Sequence, residues 1–215
     1  MTQESGRGPR KGTAEKRQAL LRGARTVFGR EGYARAGIDE IAAEAGVSTR
    51  TLYNHFGGKE NLFREVLIDS AHNVTAAHVA LIDRHLGTVV DVEKDLLGLA
   101  REWMGRRGDH EPHMLLVRHI ISEGAHLPAD VIEEWQRIGP RATAEAVRAA
   151  LLRLGEQGLL RVDKGNSLEA ARHFLLLIPG SVTVDTFFGV VPMSDAEIDA
   201  RVSSGLSVFL KLYER

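Results

Sequence analysis

Apolar residues recur three and four positions apart along most of the chain, and no segment shows the two-residue alternation of a half-buried strand. The pattern predicts an all-α protein. Helices are expected over 13–31, over a short pair between 38 and 56, and over 59–86, 91–107, 112–124, 128–155, 167–189 and 194–213. Gly and Pro punctuate them: Pro112, Pro128 and Asp195 stand near starts, Gly87, Gly108, Gly124 and Gly158 near ends. Pro140, following Gly139 inside the 128–155 candidate, predicts a kink or break, because proline has no N–H to donate and crowds the preceding turn.

The short pair carries the most chemistry. Gly46 offers the left-handed conformation that a tight corner between two helices requires, and Ser48 is placed to cap the second helix through the amides of Arg50 or Thr51. Ile41, Ala42, Ala45, Val47 and Leu52 form the apolar side that joins the two helices. The outward side of 48–55 is polar, with Thr49, Arg50, Tyr53, Asn54 and His55. A helix with such groups fits the major groove of double-stranded DNA, where each base pair shows a distinct donor and acceptor pattern.

The flanking segments complete a headpiece. Ala19, Leu20, Ala24, Val27 and Phe28 share one face of the first helix, and Phe28 and Tyr33 are expected to pack against Ile38, Ile41, Leu52 and Phe56. Gly57-Gly58 ends the second helix of the pair. Lys59 then opens the next at a helix N-terminus, a favourable place to hold a phosphate. Gly32-Tyr33, Ile41-Ala42, Ala45-Gly46-Val47-Ser48, Leu52-Tyr53, His55-Phe56, Lys59 and Leu62-Phe63 stand where the tetracycline-repressor (TetR) family has its motif, and the first sixty-odd residues resemble that family. The resemblance implies base contacts from Thr49, Arg50 and Asn54, and phosphate contacts from Thr51, Tyr53, His55 and Lys59. It also implies a homodimer and a small-molecule effector. The chain departs from the family at Ala36-Gly37, where a Thr or Ser cap is usual, because Gly37 brings no side-chain acceptor.

Charge divides the chain in the same place. Residues 1–60 hold 11 Lys and Arg against 7 Asp and Glu, and the remainder holds 17 against 22. A basic end on an acidic body suits one face for a polyanion. Three parts are expected: a disordered basic tail over 1–12, able to lie in a minor groove or to remain merely solvated, a helix-turn-helix domain over 13–60, and a helical effector-binding and dimerisation domain over 61–215. No apolar run reaches membrane-span length and no signal-peptide core is visible, so a cytoplasmic protein without membrane contact is expected. Cysteine is absent, which excludes disulfides and thiolate chemistry.

The C-terminal body supports two further expectations. Phe174, Ile178 and Val182 form one stripe and Ile198, Val202, Leu206 and Phe209 another; these are the expected dimer surface, because a reader of two half-sites needs two-fold symmetry. Trp103, Met104, Leu116, His119, Ile120, Trp135 and Phe174 are bulky, with few polar tips, and are the expected effector pocket. The stretches 121–128, 135–141 and 170–174 resemble the regulatory domain of the AefR-like subgroup. His110, His113, His119 and His126 are not spaced to share a metal, and His72, His78 and His85 are expected to be solvated. No nucleophile elbow, phosphate loop or zinc-protease motif is present, so no enzyme, cofactor or metal is expected. The leading expectation is a homodimeric repressor released from a palindromic operator by a small molecule. The alternatives are a DNA-binding protein without an effector, and a helical enzyme or carrier with a vestigial headpiece.

Overall fold

The structure, a computed structural model, describes residues 11–105 and 111–215. Within them the chain is helical, with one isolated antiparallel bridge between Leu160 and Glu214. Residues 1–10 of the expected basic tail, the Gly108 helix end and His110 fall outside the described residues, while Lys11 and Gly12, expected in the tail, belong to the first helix.

Four helices surround the N-terminal core: α1 (Lys11–Arg35), α2 (Ile38–Glu44), α3 (Thr49–Phe56) and α4 (Lys59–Leu86). Leu20, Ala24, Val27, Phe28, Ile41, Leu52 and Phe56 are buried together, as their spacing predicts. Phe28 meets Phe63 edge-on at 4.9 Å, and Tyr33 lies 4.8 Å from the same ring. The last turn of α1 is broken. Gly32 adopts φ 78, ψ 173, a conformation essentially reserved for glycine, and its absent Cβ would stand 2.4 Å from the Glu123 carboxylate.

The body follows as α5 (Val92–Gly105), α6 (Glu111–Glu123), α7 (Ala129–Ile138), α8 (Pro140–Glu156), α9 (Ser167–Leu175), α10 (Ser181–Asp185) and α11 (Asp195–Tyr213). The 128–155 candidate is two helices, divided at Gly139 with Pro140 opening the second. The 167–189 candidate is also interrupted. Leu176–Gly180 forms one wide π turn around Pro179, which cannot supply the regular helical hydrogen bond. Against that turn lies Gly205 of α11; a Cβ there would be 2.1 Å from the Leu177 carbonyl oxygen.

The headpiece core does not end near residue 60. Leu62, Phe63, Val66 and Leu67 of α4, Leu116 and Ile120 of α6, and Val131, Trp135 and Ile138 of α7 continue the same cluster. A second cluster fills the C-terminal half, where Phe174 meets Phe209 edge-on at 5.5 Å.

Candidate nucleic-acid interface and effector cavity

The corner of the helix pair is built as its residues require. Gly46 takes φ 66, and Ser48 is the N-cap of α3, its hydroxyl accepting from the Thr51 amide at 3.3 Å. Gly57 closes α3 in the left-handed conformation. Gly37 caps α2 without any side-chain bond, so the departure at that position is real. Leu52 and Phe56 hold α3 to the core, and Arg17 of α1 covers the Phe56 ring while pairing with Glu65 of α4.

The recognition residues divide by exposure. Arg50, Tyr53 and Asn54 are exposed, Tyr53 at 52 %, while Thr49, Thr51 and His55 are half-buried on the same helix. Lys59 stands apart from them. Its ammonium donates to the Ala34 carbonyl at 3.2 Å and lies 4.9 Å from the Tyr33 ring, and burial lowers its pKa, partly opposed by the Glu123 charge. In this conformation Lys59 fastens α4 to the end of α1.

A cavity of about 550 Å³ opens in the body. Val74 and His78 of α4, Trp103 and Met104 of α5, and His113, Met114, Val117 and Arg118 of α6 form three of its walls. Trp135, Pro140, Pro179, Thr183 and Thr186 close the remainder, and Phe188, Gly189 and Val191 to Met193 contribute from the loop before α11. His78 stacks on Trp103 with centroids 4.0 Å apart, which makes one wall flat. The volume and the apolar lining with a few polar tips are those of a small-molecule site.

Of the expected pocket residues, Trp103, Met104 and Trp135 line this cavity and four do not. Leu116 and Ile120 point into the headpiece core, and Phe174 is buried against Phe209. His119 faces α1, where Nε2 donates to the Gly29 carbonyl at 3.1 Å. The reason is the turn angle of α6: residues 114, 117 and 118 face the cavity while 116, 119 and 120 face α1. His78, expected in solvent, is a cavity wall, and His85 contacts Glu102 at 2.7 Å. Arg118 escaped the sequence reading, and Phe188, whose place in the 167–189 stripe suggested the dimer surface, lines the cavity instead; only folding brings the two together.

The expected dimer residues also move. Phe174, Ile178, Val182, Ile198, Val202, Leu206 and Phe209 are 0–8 % exposed within one protomer, so their faces are consumed by its own core. The exposed large apolar side chains of the same segments are Leu168, Leu176, Val184, Phe187, Val208 and Leu212.

Among the described residues, no helix is long and apolar enough to cross a membrane, and no group of three or more His, Asp or Glu is arranged to hold a metal.

Comparison with known proteins agrees with this geometry. Residues 20–66 match the family of bacterial regulatory proteins of the tetR type, and residues 104–215 match the C-terminal domain of AefR-like transcriptional repressors. The transcriptional repressor AcnR of Corynebacterium glutamicum is 29% identical over 150 residues, covering 68% of this chain and 70% of AcnR. A TetR-family regulator from Mesorhizobium loti superposes with a TM-score of 0.86 at 26% identity, covering 97% of this chain and 100% of that one. The flavonoid-responsive regulator FrrA superposes with a TM-score of 0.66 at 26% identity over 94% of this chain and 98% of its own. With a capped recognition helix at one end and an AefR-like helical body at the other, the chain belongs to the TetR family and is a DNA-binding transcriptional regulator.

Proposed function

We propose that the protein is a homodimeric repressor whose hold on a palindromic operator is released by a small molecule bound in the 550 Å³ cavity. The observation that carries this reading is the double duty of α6. One side of the helix supplies His113, Met114, Val117 and Arg118 to the cavity, and the other places His119 and Glu123 against the broken end of α1. A ligand that displaces α6 therefore pushes on the helix that supports α3. Only a ligand with higher affinity for the DNA-incompetent arrangement moves the equilibrium, so release requires that preference.

Base contacts are assigned to Thr49, Arg50 and Asn54, and phosphate contacts to Thr51, Tyr53 and His55. Lys59 joins the second set once its bond to Ala34 is exchanged for a phosphate. The exposed side chains Leu168, Leu176, Val184, Val208 and Leu212 are assigned to the partner protomer. Two copies joined there by a two-fold axis present two copies of α3, which reach successive major grooves when about 34 Å apart.

Selection of bound fragments from random DNA tests the reading: an inverted repeat is expected. Enrichment of single half-sites, or of no sequence, would remove the dimeric operator from the account.

A further inference from the structure

We propose that the cavity takes a flat, apolar molecule bearing one anionic group, a carboxylate or similar oxyanion, and that Arg118 is the side chain that recognises it. This inference rests on the reading of the cavity as the effector site and specifies what the site accepts.

The chemistry of the lining points that way. Trp103, with His78 stacked on it at an interplanar angle of 20°, forms a flat wall, and Trp135 and Phe188 add two more aromatic surfaces. Among the described lining residues Arg118 is the one formal cation, and none is a carboxylate. A cationic ligand would meet a like charge with nothing to balance it, and a neutral one would leave the guanidinium without a counter-charge in a mostly apolar surround.

The present partner of Arg118 is weak by comparison. Its Nη1 donates to the Phe188 carbonyl at 2.7 Å, and among the described residues no carboxylate pairs with it. A guanidinium has five N–H donors in a planar fork, and a carboxylate takes two of them in parallel, in a stronger bond than a neutral carbonyl accepts. The half-buried side chain lines the cavity where α6 meets the loop before α11, so an anion can pair with it while the apolar part of the ligand lies against the aromatic walls.

The carbonyl that Arg118 holds belongs to a strained segment. Phe187, Phe188 and Gly189 all have positive φ, at 47, 56 and 85, a run that two bulky L-residues rarely adopt. The Thr186 hydroxyl accepts from the Gly189 amide at 3.2 Å and braces the turn from beneath. An anion that competes for Arg118 thus loosens the one described side-chain bond from α6 to this loop, and selectivity for charge and movement of this cavity wall become one event.

Calorimetric titration of the full chain with 2-naphthoate and with 2-naphthamide, its neutral isostere, tests the proposal. The chain's two tryptophans both line the cavity, so a change in their emission reports where the probe sits. The acid is expected to bind about tenfold more tightly than the amide, with Arg118→Gln reducing the difference to about twofold or less and Arg118→Lys retaining part of it. Circular dichroism melts establish that both variants are folded. Equal affinities in the native protein, a preference that survives Arg118→Gln, or no saturable heat from either probe would each overturn the assignment. Operator binding is followed separately by fluorescence anisotropy. Tight naphthoate binding without operator release leaves the anion site in place and removes the reading of the cavity as the effector site.

Discussion

His119 Nε2 donates to the carbonyl oxygen of Gly29 across the junction of α6 and α1, at 3.1 Å. One turn further on, Glu123 accepts from the Ala34 amide at 3.2 Å and lies 3.5 Å from His119 Nδ1. These contacts clamp both sides of the Gly32 break, and the route from the cavity through α6 to α3 crosses them. His119→Ala and Glu123→Ala are therefore expected to leave ligand affinity nearly unchanged and to lower the coupling between ligand and operator by about 1 kcal/mol, roughly fivefold. Anisotropy titrations of operator with and without ligand measure it, and an undiminished coupling would rule the clamp out as the route.

Gly32→Ala tests the break itself. The substitution forces an L-residue into a glycine-only conformation and drives a methyl toward Glu123 and His119, whose nearest atoms are 2.4 and 2.8 Å from the ideal Cβ. A loss of about 2 kcal/mol or more is expected, lowering the unfolding midpoint by roughly 4–8 °C in a chain of this size. A midpoint unchanged within a degree would contradict it.

For α3, stability and specificity separate by residue. Ser48→Ala removes the cap on the Thr51 amide and is expected to cost about 1 kcal/mol of stability. Arg50→Ala and Asn54→Ala are expected to leave stability unchanged and to relax base preference, whereas Tyr53→Phe and Thr51→Ala should weaken specific and random DNA alike. Competition with shuffled duplexes distinguishes the two classes; uniform losses for Arg50 and Asn54 would deny them a base-reading role.

Acid should weaken the start of α11. Ser194 and Glu197 form a reciprocal cap, in which the Glu197 carboxylate accepts from the Ser194 hydroxyl at 2.6 Å and from its amide at 2.9 Å. These bonds hold the Glu197 pKa below its ordinary 4.5, the hydroxyl contributing most. A carboxylate whose folded-state pKa is depressed stabilises the fold above its unfolded value and loses that contribution as pH falls through the folded value. Native protein is thus expected to be more stable than Glu197→Gln near neutrality, with the gap closing below pH 4.5. Thermal melts at successive pH values record this, and a gap that widened in acid would reverse the sign.

Val208 and Val202 lie on different sides of α11, at 42 % and 0 % exposure. Val208→Asp should leave the protomer folded and convert a dimer to monomers in sedimentation, whereas Val202→Asp buries a charge and should unfold the chain. A Val208→Asp protein that sediments as the native one does would move the contact elsewhere.

Helix positions were readable because each depends on neighbours in sequence. Gly46, Ser48 and Gly57 act within a few residues of themselves, and the structure uses all three as their chemistry suggests. Faces were harder. Helix α11 carries apolar residues on two sides, Val202, Leu206 and Phe209 inward and Val208 and Leu212 outward, and periodicity does not say which side meets the chain's own core. The same ambiguity on α6 assigned His119 to the cavity when it faces α1. Arg118 and Phe188 are 70 positions apart, and their bond leaves no local trace. Gly32 carried a signal in its identity, but its break is specified by Glu123 and His119 from a distant helix.

Because Leu116, Ile120 and Trp135 finish the core that Leu20, Phe28 and Leu52 begin, the reading head is not a detachable module. A chimera spliced near residue 58 would set foreign side chains against surfaces shaped for the originals, while re-addressing the regulator through the outer face of α3 alone would leave every one of those contacts in place.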